Sequence, residues 1–310
     1  MIDQALHDAM IAACAAVRIT PPRREPAPGR WVQVDTYERN GKGDGRILIF
    51  DDERGGICWN HQTQQSRRFS ARRHGEPVQS HGLRRDPEKE RRRQDEQREV
   101  ERICADIVRT CRHEPHPYLA RKGFPDERGL VHDDPRACFP ATSFGEVLAK
   151  ALPEADGPLL IVPGRIDRRI TTVQFIATDG TKKNILRGAM GGASHRIATG
   201  RLSVVCEGIA TAMSVRAALR FLSLSATVLS AFSASNVAKV AAGIPEAWIA
   251  ADNDKPIEAL GNLGTGEFYA AESGRKWTMP PELGDFNDMH MAHGLRALAL
   301  HLQEVLRDTS

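Results

Sequence analysis

Residues 202–215 read LSVVCEGIATAMSV and residues 247–256 read AWIAADNDKP. Each begins as a short, continuous apolar run and stops at a carboxylate, Glu207 in the first and Asp252 in the second. Uninterrupted apolar strands of this length belong in a sheet covered on both faces. A helical stretch follows each strand: TAMSVRAALRFL after LSVVC, SNVAKVAAG after ATVLSAF, GTGEFYAAESG after AWIAA, and a terminal helix through GLRALALHLQEVLR after KWTMP. The alternation predicts an α/β fold with a doubly wound parallel sheet over residues 202–310. Ligands of such sheets bind beyond the carboxyl ends of the strands, where Glu207 and Asp252 fall. Gly208 lets the chain turn sharply from strand into helix, and Thr211 and Ala212 keep the first helical turn close to the neighbouring strand.

Asp254, one residue beyond Asn253, can face the same cavity as Asp252, and GDFNDMH (284–290) brings Asp285 and Asp288 to the same edge. Converging carboxylates repel one another unless cations sit between them, and hard oxygen ligands suit Mg²⁺ or Mn²⁺. A lone D-x-D is commonly a turn or a helix cap, and Asp285 could simply cap the helix that follows it. The case for a site rests on chain order, spacing and strand context together.

At 310 residues, the chain is long enough for two or three domains with a core that needs no staples. Its six cysteines (Cys14, Cys58, Cys104, Cys111, Cys138, Cys206) are scattered, without a C-x-x-C pair or a secretory leader, so a reduced, cytoplasmic protein is expected. No apolar run is long enough for a membrane helix. The net charge of +3 hides an asymmetry: residues 202–310 hold 8 Lys and Arg against 12 Asp and Glu, which leaves 35 against 28 in residues 1–201. The basic part suits a polyanion and the acidic part a metal.

Upstream, a short helix over 1–17 ends before the linker TPPRREPAPG. WVQVDTY, RILIF, GICWNH and SRRF, broken by glycine-rich turns, predict an antiparallel meander over 29–69. Residues 72–100 are almost wholly polar, a solvated linker and then a helix with Pro87 at its first position. An apolar stripe at Val100, Ile103, Cys104, Ile107 and Cys111 packs the end of that helix, and its arginine run is either a solvated face or a nucleic-acid contact. PLLIVP, TTVQFIATDG and KKNILRG predict further strands, with Asp179-Gly180 a hairpin turn. The expected domains are 1–80 (helix plus small antiparallel β module), 81–112 (charged linker and helix), 113–201 (β-rich basic subdomain) and 202–310.

VVCEGIATAMS, VLSAFSASNVAKVA, IAADND and GDFNDMH together resemble the toprim domain shared by topoisomerases and primases, in the version carried by primases of phages, plasmids and integrative elements. HPYLARKGF (116–124) resembles the segment entering the family's catalytic core, and residues 161–197 resemble its basic subdomain. Residues 29–69 resemble its N-terminal DNA-recognition module. The resemblance implies a nucleotidyltransferase, a DNA primase of the DNA-directed RNA polymerase type, making short primers on single-stranded DNA from nucleoside triphosphates. Glu207 would be the toprim glutamate, as metal ligand or acid/base. Asp252 and Asp254 would be the metal carboxylates, and Asp288 with Asp285 would complete the site. Arg165, Lys182, Lys183, Arg187 and Lys122 are the candidate cations for template and nucleotide; Lys182 and Lys183 could equally serve surface solubility. Asn236 is read as a local cap rather than a nucleotide contact.

Two departures qualify the resemblance. Only Cys58 and His61 have ligand-like spacing, so the first module is expected to fold without zinc and Cys58 to lie in a core. No GxxxxGK[ST] loop occurs, so a separate helicase is expected as partner. The rival readings are a toprim nuclease and an inactive single-stranded-DNA-binding replication accessory. A topoisomerase would need a nucleophilic tyrosine, and Tyr37, Tyr118 and Tyr269 have no recognisable setting for one.

Overall fold

Asp3 caps the first helix, α1 (Gln4–Ala16), by accepting from the Ala5 N–H at 3.4 Å, and Leu6, Met10, Ala13 and Cys14 give the helix one buried face. Ile47, Ile49, Cys58 and Phe69 meet that face from an antiparallel meander of β1 (Trp31–Val34), β2 (Gly45–Ile49), β3 (Gly55–Asn60) and β4 (Ser66–Ser70), paired in chain order. Cys58 is fully buried with its Sγ 3.5 Å from that of Cys14; that contact, with burial, pushes its thiol pKa up. His61 instead stacks on Trp59, with ring centroids 5.1 Å apart.

The computed structural model describes residues 3–37, 41, 43–50, 53, 55–63, 65–70, 87–154, 156–256 and 262–307. The expected linker at 71–86 and the side chains at 87–90, 92 and 93, which include most of the arginine run, lie outside the described residues. Contacts divide the chain into Met1–Pro87 with Pro256–Asn262, and Glu88–Lys255 with Leu263–Ser310.

The second unit opens with α2 (Pro87–Thr110), whose Val100, Ile103, Cys104 and Ile107 are buried as the apolar stripe predicts. It then runs through β5 (Arg112–Pro115), α3 (Pro117–Arg121), β6 (Arg128–His132), α4 (Ser143–Lys150), β7 (Leu159–Ile166), β8 (Arg169–Ile176) and β9 (Lys182–Asn184). The strands form one antiparallel sheet in the order β5-β6-β7-β8-β9. Alternation along β7 and β8 sends Leu159, Ile161, Val173 and Phe175 to the side of α2 and α4. Leu160, Val162 and Ile176 point the other way, onto Tyr118, Leu119, Ile209 and Met213. Each such side chain, fully buried, contributes roughly 1.5–3 kcal/mol.

The rest of this unit is β10 (His195–Ala198), β11 (Leu202–Cys206), α5 (Ile209–Phe221), β12 (Ala226–Ser230), α6 (Ala234–Ala242), β13 (Trp248–Ala250), α7 (Thr265–Glu272), β14 (Lys276–Thr278) and α8 (Phe286–Arg307). Strand order is β10-β12-β11-β13-β14, parallel from β12 to β14. Val204 and Cys206 pack on one face with α5 and α8; Val205 packs on the other with α6 and α7, so helices cover both faces. β10 pairs antiparallel to β12 at the edge. HRIA lacks the apolar run that marks its neighbours and falls within the expected basic subdomain (113–201), whereas its pairing with β12 brings it into this sheet.

Candidate active site

Register fixes where the first two carboxylates stand. Cys206 is paired with Ala250 in the parallel ladder, so Glu207 and Asp252 leave the sheet at the same edge. The Glu207 carbonyl accepts from Phe232 N–H at 2.8 Å and Ser230 Oγ at 3.0 Å, which holds the backbone where β11 gives way to α5. Asn253 exchanges two backbone hydrogen bonds with Gly284, both 2.9 Å, tying the D-x-D turn to the loop that carries Asp285. Asp254 Oδ2 accepts from Gly266 N–H at 3.0 Å.

Gly264, the N-cap of α7, and Gly266 in its first turn are part of this support, although the sequence there reads only as helix. A Cβ on Gly266 would lie 2.3 Å from Asp252 O, and one on Gly264 would lie 2.5 Å from Asp254 O. Only glycine allows so close an approach of backbone to backbone. Gly266→Ala should therefore destabilise the protein by roughly 1–3 kcal/mol by pushing the D-x-D turn away. An unchanged denaturation midpoint would refute that account.

Charge follows from crowding. Glu207 rises from its ordinary 4.5 to about 7, chiefly through burial, then through Asp254 and Asp285, with Lys182 acting in the opposite sense. Asp252 rises from 3.8 to about 8 through burial, then through Glu207, Asp285 and Asp254, again opposed by Lys182. Asp252 Oδ1 is buried without a hydrogen-bond partner. Glu207 and Asp252 thus feel each other and the charges of Asp254 and Asp285, and Lys182 opposes the shift of both.

The remaining candidates separate. Asp285 Oδ1 accepts from Asn287 N–H at 2.7 Å and Asp288 N–H at 2.9 Å, while Asp288 Oδ2 accepts from Asp285 N–H at 3.1 Å. The two form a reciprocal cap on α8. Asp288 is more than half exposed, pairs with Lys122 Nζ at 3.7 Å, and is absent from the charges that shift Glu207 or Asp252. Lys182 pairs across the ladder with Ile176 and Lys183 with Phe175, so they face opposite sides of the sheet. Lys182 Nζ lies 5.5 Å from the centre of the Tyr118 ring, on the carboxylate side. Arg187 pairs with Glu96 of α2 at 3.0 Å, and Arg165 borders Ser194 and Arg196 where β7 meets β10.

Two buried amides brace the site. Asn236 is not the local cap expected of it: it accepts from Gly192 N–H at 2.6 Å and donates to Ala193 O and Ala231 O at 2.8 Å, strapping the β9–β10 loop to the sheet. Asn287, fully buried, donates to Lys122 O at 2.8 Å and Ser214 Oγ at 3.0 Å. No sequence signal marks Asn287, whereas the paired glycines at the start of α7 are a legible sign of close backbone approach.

An unpartnered Asp252 oxygen and mutually repelling hard oxygen donors fit a divalent cation in chemistry. Among the described residues, no three acidic, His or Cys side chains converge closely enough to enclose an ion. No helix among the described residues is long and apolar enough to cross a membrane.

No curated protein matches the chain significantly. Among solved structures, the primase fragment of the bacteriophage T7 primase-helicase protein is similar at 14% identity and a TM-score of 0.37, over 82% of this chain and 92% of that one. Residues 202–296 match the family model described as Toprim domain, a span that contains Glu207, Asp252, Asp254 and Asp285.

Proposed function

We propose that the protein is a DNA primase: it joins nucleotides into short primers on single-stranded DNA. The observation that carries this reading is the set of carboxylates at the sheet edge with Lys182 entering from the adjoining antiparallel sheet. In the reaction, the 3′-hydroxyl of the growing primer attacks the α-phosphorus of a nucleoside triphosphate; an O–P bond forms, and the bond to pyrophosphate breaks. Glu207, Asp252 and Asp254 would hold Mg²⁺ or Mn²⁺, which would neutralise charge on the attacking and leaving oxygens. In the alternative in which Asp252 and Asp254 alone hold the ion, Glu207, raised to about 7 in the metal-free site, is suited to take the hydroxyl proton. Lys182 balances negative charge on the triphosphate, and Arg165 offers a further cation for the template. Arg187 and Lys122, engaged with Glu96 and Asp288, help to hold the basic subdomain in place. Single-stranded template, nucleoside triphosphates and a separate helicase are the partners of this reading.

Labelled-nucleotide incorporation on single-stranded templates of varied sequence tests it. Extended products support the primase; shortened template would support the nuclease, and binding without product the accessory. In the same assay, Lys182→Ala should cost roughly tenfold or more, the scale of a charge-assisted contact. Lys183→Ala, on the opposite face, should stay within about threefold of the parent. Equal losses in the two variants would show that the alternation of β9 does not select the working cation.

A further inference from the structure

We propose that the N-terminus of α5 is a phosphate cradle, in which Gly208, the first-turn N–H groups, the Thr211 hydroxyl and the Lys182 ammonium hold one phosphate of the incoming Mg²⁺–nucleoside triphosphate. The proposal rests on the nucleotidyl-transfer reading above and assigns a binding role to residues outside the carboxylate set.

α5 is 13 residues long, and its N-cap is Gly208, which offers no side-chain hydrogen bond to the helix. The first intrahelical bond is Ala212 N–H to Gly208 O at 3.0 Å, so the N–H groups of Ile209, Ala210 and Thr211 precede any helical acceptor. Such an end favours an anion through aligned dipoles and free donors. Thr211 supplies a second, independent sign. Its side chain is 1% exposed, and its Oγ1 is buried without a hydrogen-bond partner. An unsatisfied buried hydroxyl is costly, and a bound phosphate oxygen would satisfy it.

Glycine keeps the place open. A Cβ on Gly208 would lie 3.5 Å from Thr211 Oγ1 and 4.0 Å from Lys182 Nζ, and beyond its chain neighbours nothing else comes within 4 Å. The backbone there does not demand glycine, since φ is −94°. A hydroxyl donor, an ammonium and a helix end thus border one small gap directly after Glu207. Ionised carboxylates beside the gap would repel a bare anion, so the cradle suits a phosphate that arrives with its own cation. That favours Mg²⁺–triphosphate over a template phosphate.

The test is calorimetric titration of the full-length protein with Mg²⁺–ATP, Mg²⁺–tripolyphosphate and a single-stranded oligonucleotide. Thr211→Val, which keeps the shape and removes the hydroxyl, should weaken both triphosphate ligands by roughly tenfold or more, and Thr211→Ser should restore affinity to within about threefold. Gly208→Ala, whose new contacts are of ordinary van der Waals length, should weaken them similarly and covers the case in which Thr211→Val fails to fold. Oligonucleotide affinity should stay at the parental value. Parental triphosphate affinity in both Thr211→Val and Gly208→Ala overturns the proposal, as does a loss confined to the oligonucleotide. Asp252→Asn separates this outcome from failure of the underlying reading: if that variant keeps the parental Mg²⁺ response, the metal-carboxylate reading falls instead.

Discussion

On the primase reading, Asp252→Asn and Glu207→Gln will each lower primer synthesis by roughly 10²- to 10³-fold, the scale on which single electrostatic contacts to a developing charge are lost. Each change keeps the size of the side chain and removes its charge. The folded protein should persist, because neither carboxylate is needed to hold the backbone around it. Glu207 is held through its carbonyl, by Phe232 and Ser230, and the D-x-D turn through Asn253 and Gly284. Oligonucleotide affinity should survive as well, since Arg165 is unchanged. Asp288→Asn should cost far less, because Asp288 serves the α8 cap and Lys122 rather than the buried pair. Product formation at near-parental rates by both Asp252→Asn and Glu207→Gln would transfer the protein to the accessory reading.

The sheet edge was legible in the sequence because strand ends are marked twice. LSVVC and AWIAA stop being apolar at the point where they stop being strands, and the next polar residue inherits the edge. Parallel pairing of Cys206 with Ala250 then turns two separate strand ends into one site. What the sequence did not disclose depends on neighbours remote in the chain. Lys182 and Lys183 are chemically equivalent as letters, and only the pairing of β9 with β8 separates them. By sequence Asp285 is the one with a helix cap as its alternative, yet the first turn of α8 uses both Asp285 and Asp288 as caps, and of the two it is Asp285 whose charge acts on Glu207 and Asp252. A short polar element such as β10 is not legible because tertiary pairing with β12, not local propensity, creates it.

With metal removed by a chelator, the parent will lose thermal stability relative to Asp252→Asn as pH rises from about 4 towards 8. The sign follows from the raised pKa. Asp252 titrates near its ordinary 3.8 when unfolded and at about 8 when folded, so between those values the folded chain holds a proton that the unfolded chain has released. Stability from this group is complete below about pH 4, falls through the interval, and is gone above about pH 8. Glu207 adds the same slope between 4.5 and about 7. His195, held down to about 4 by burial, and His61, His116, His132, His290 and His301, also lowered by burial, act in the opposite direction, so the comparison of variant with parent isolates the carboxylate contribution. Asparagine cannot ionise, and it removes one charge from a repelling set. At pH 8.5 in chelator, Asp252→Asn should therefore melt on the order of 5 °C above the parent, a few kcal/mol for a chain of this size, and at pH 5 the gap should shrink. Mg²⁺ should raise the melting temperature of the parent at pH 8.5 and do little for the variant, because a ligand that binds only the folded state stabilises in proportion to its occupancy. Melting curves with the same pH slope and Mg²⁺ response in both proteins would mean that Asp252 is not the crowded, metal-seeking carboxylate its surroundings describe.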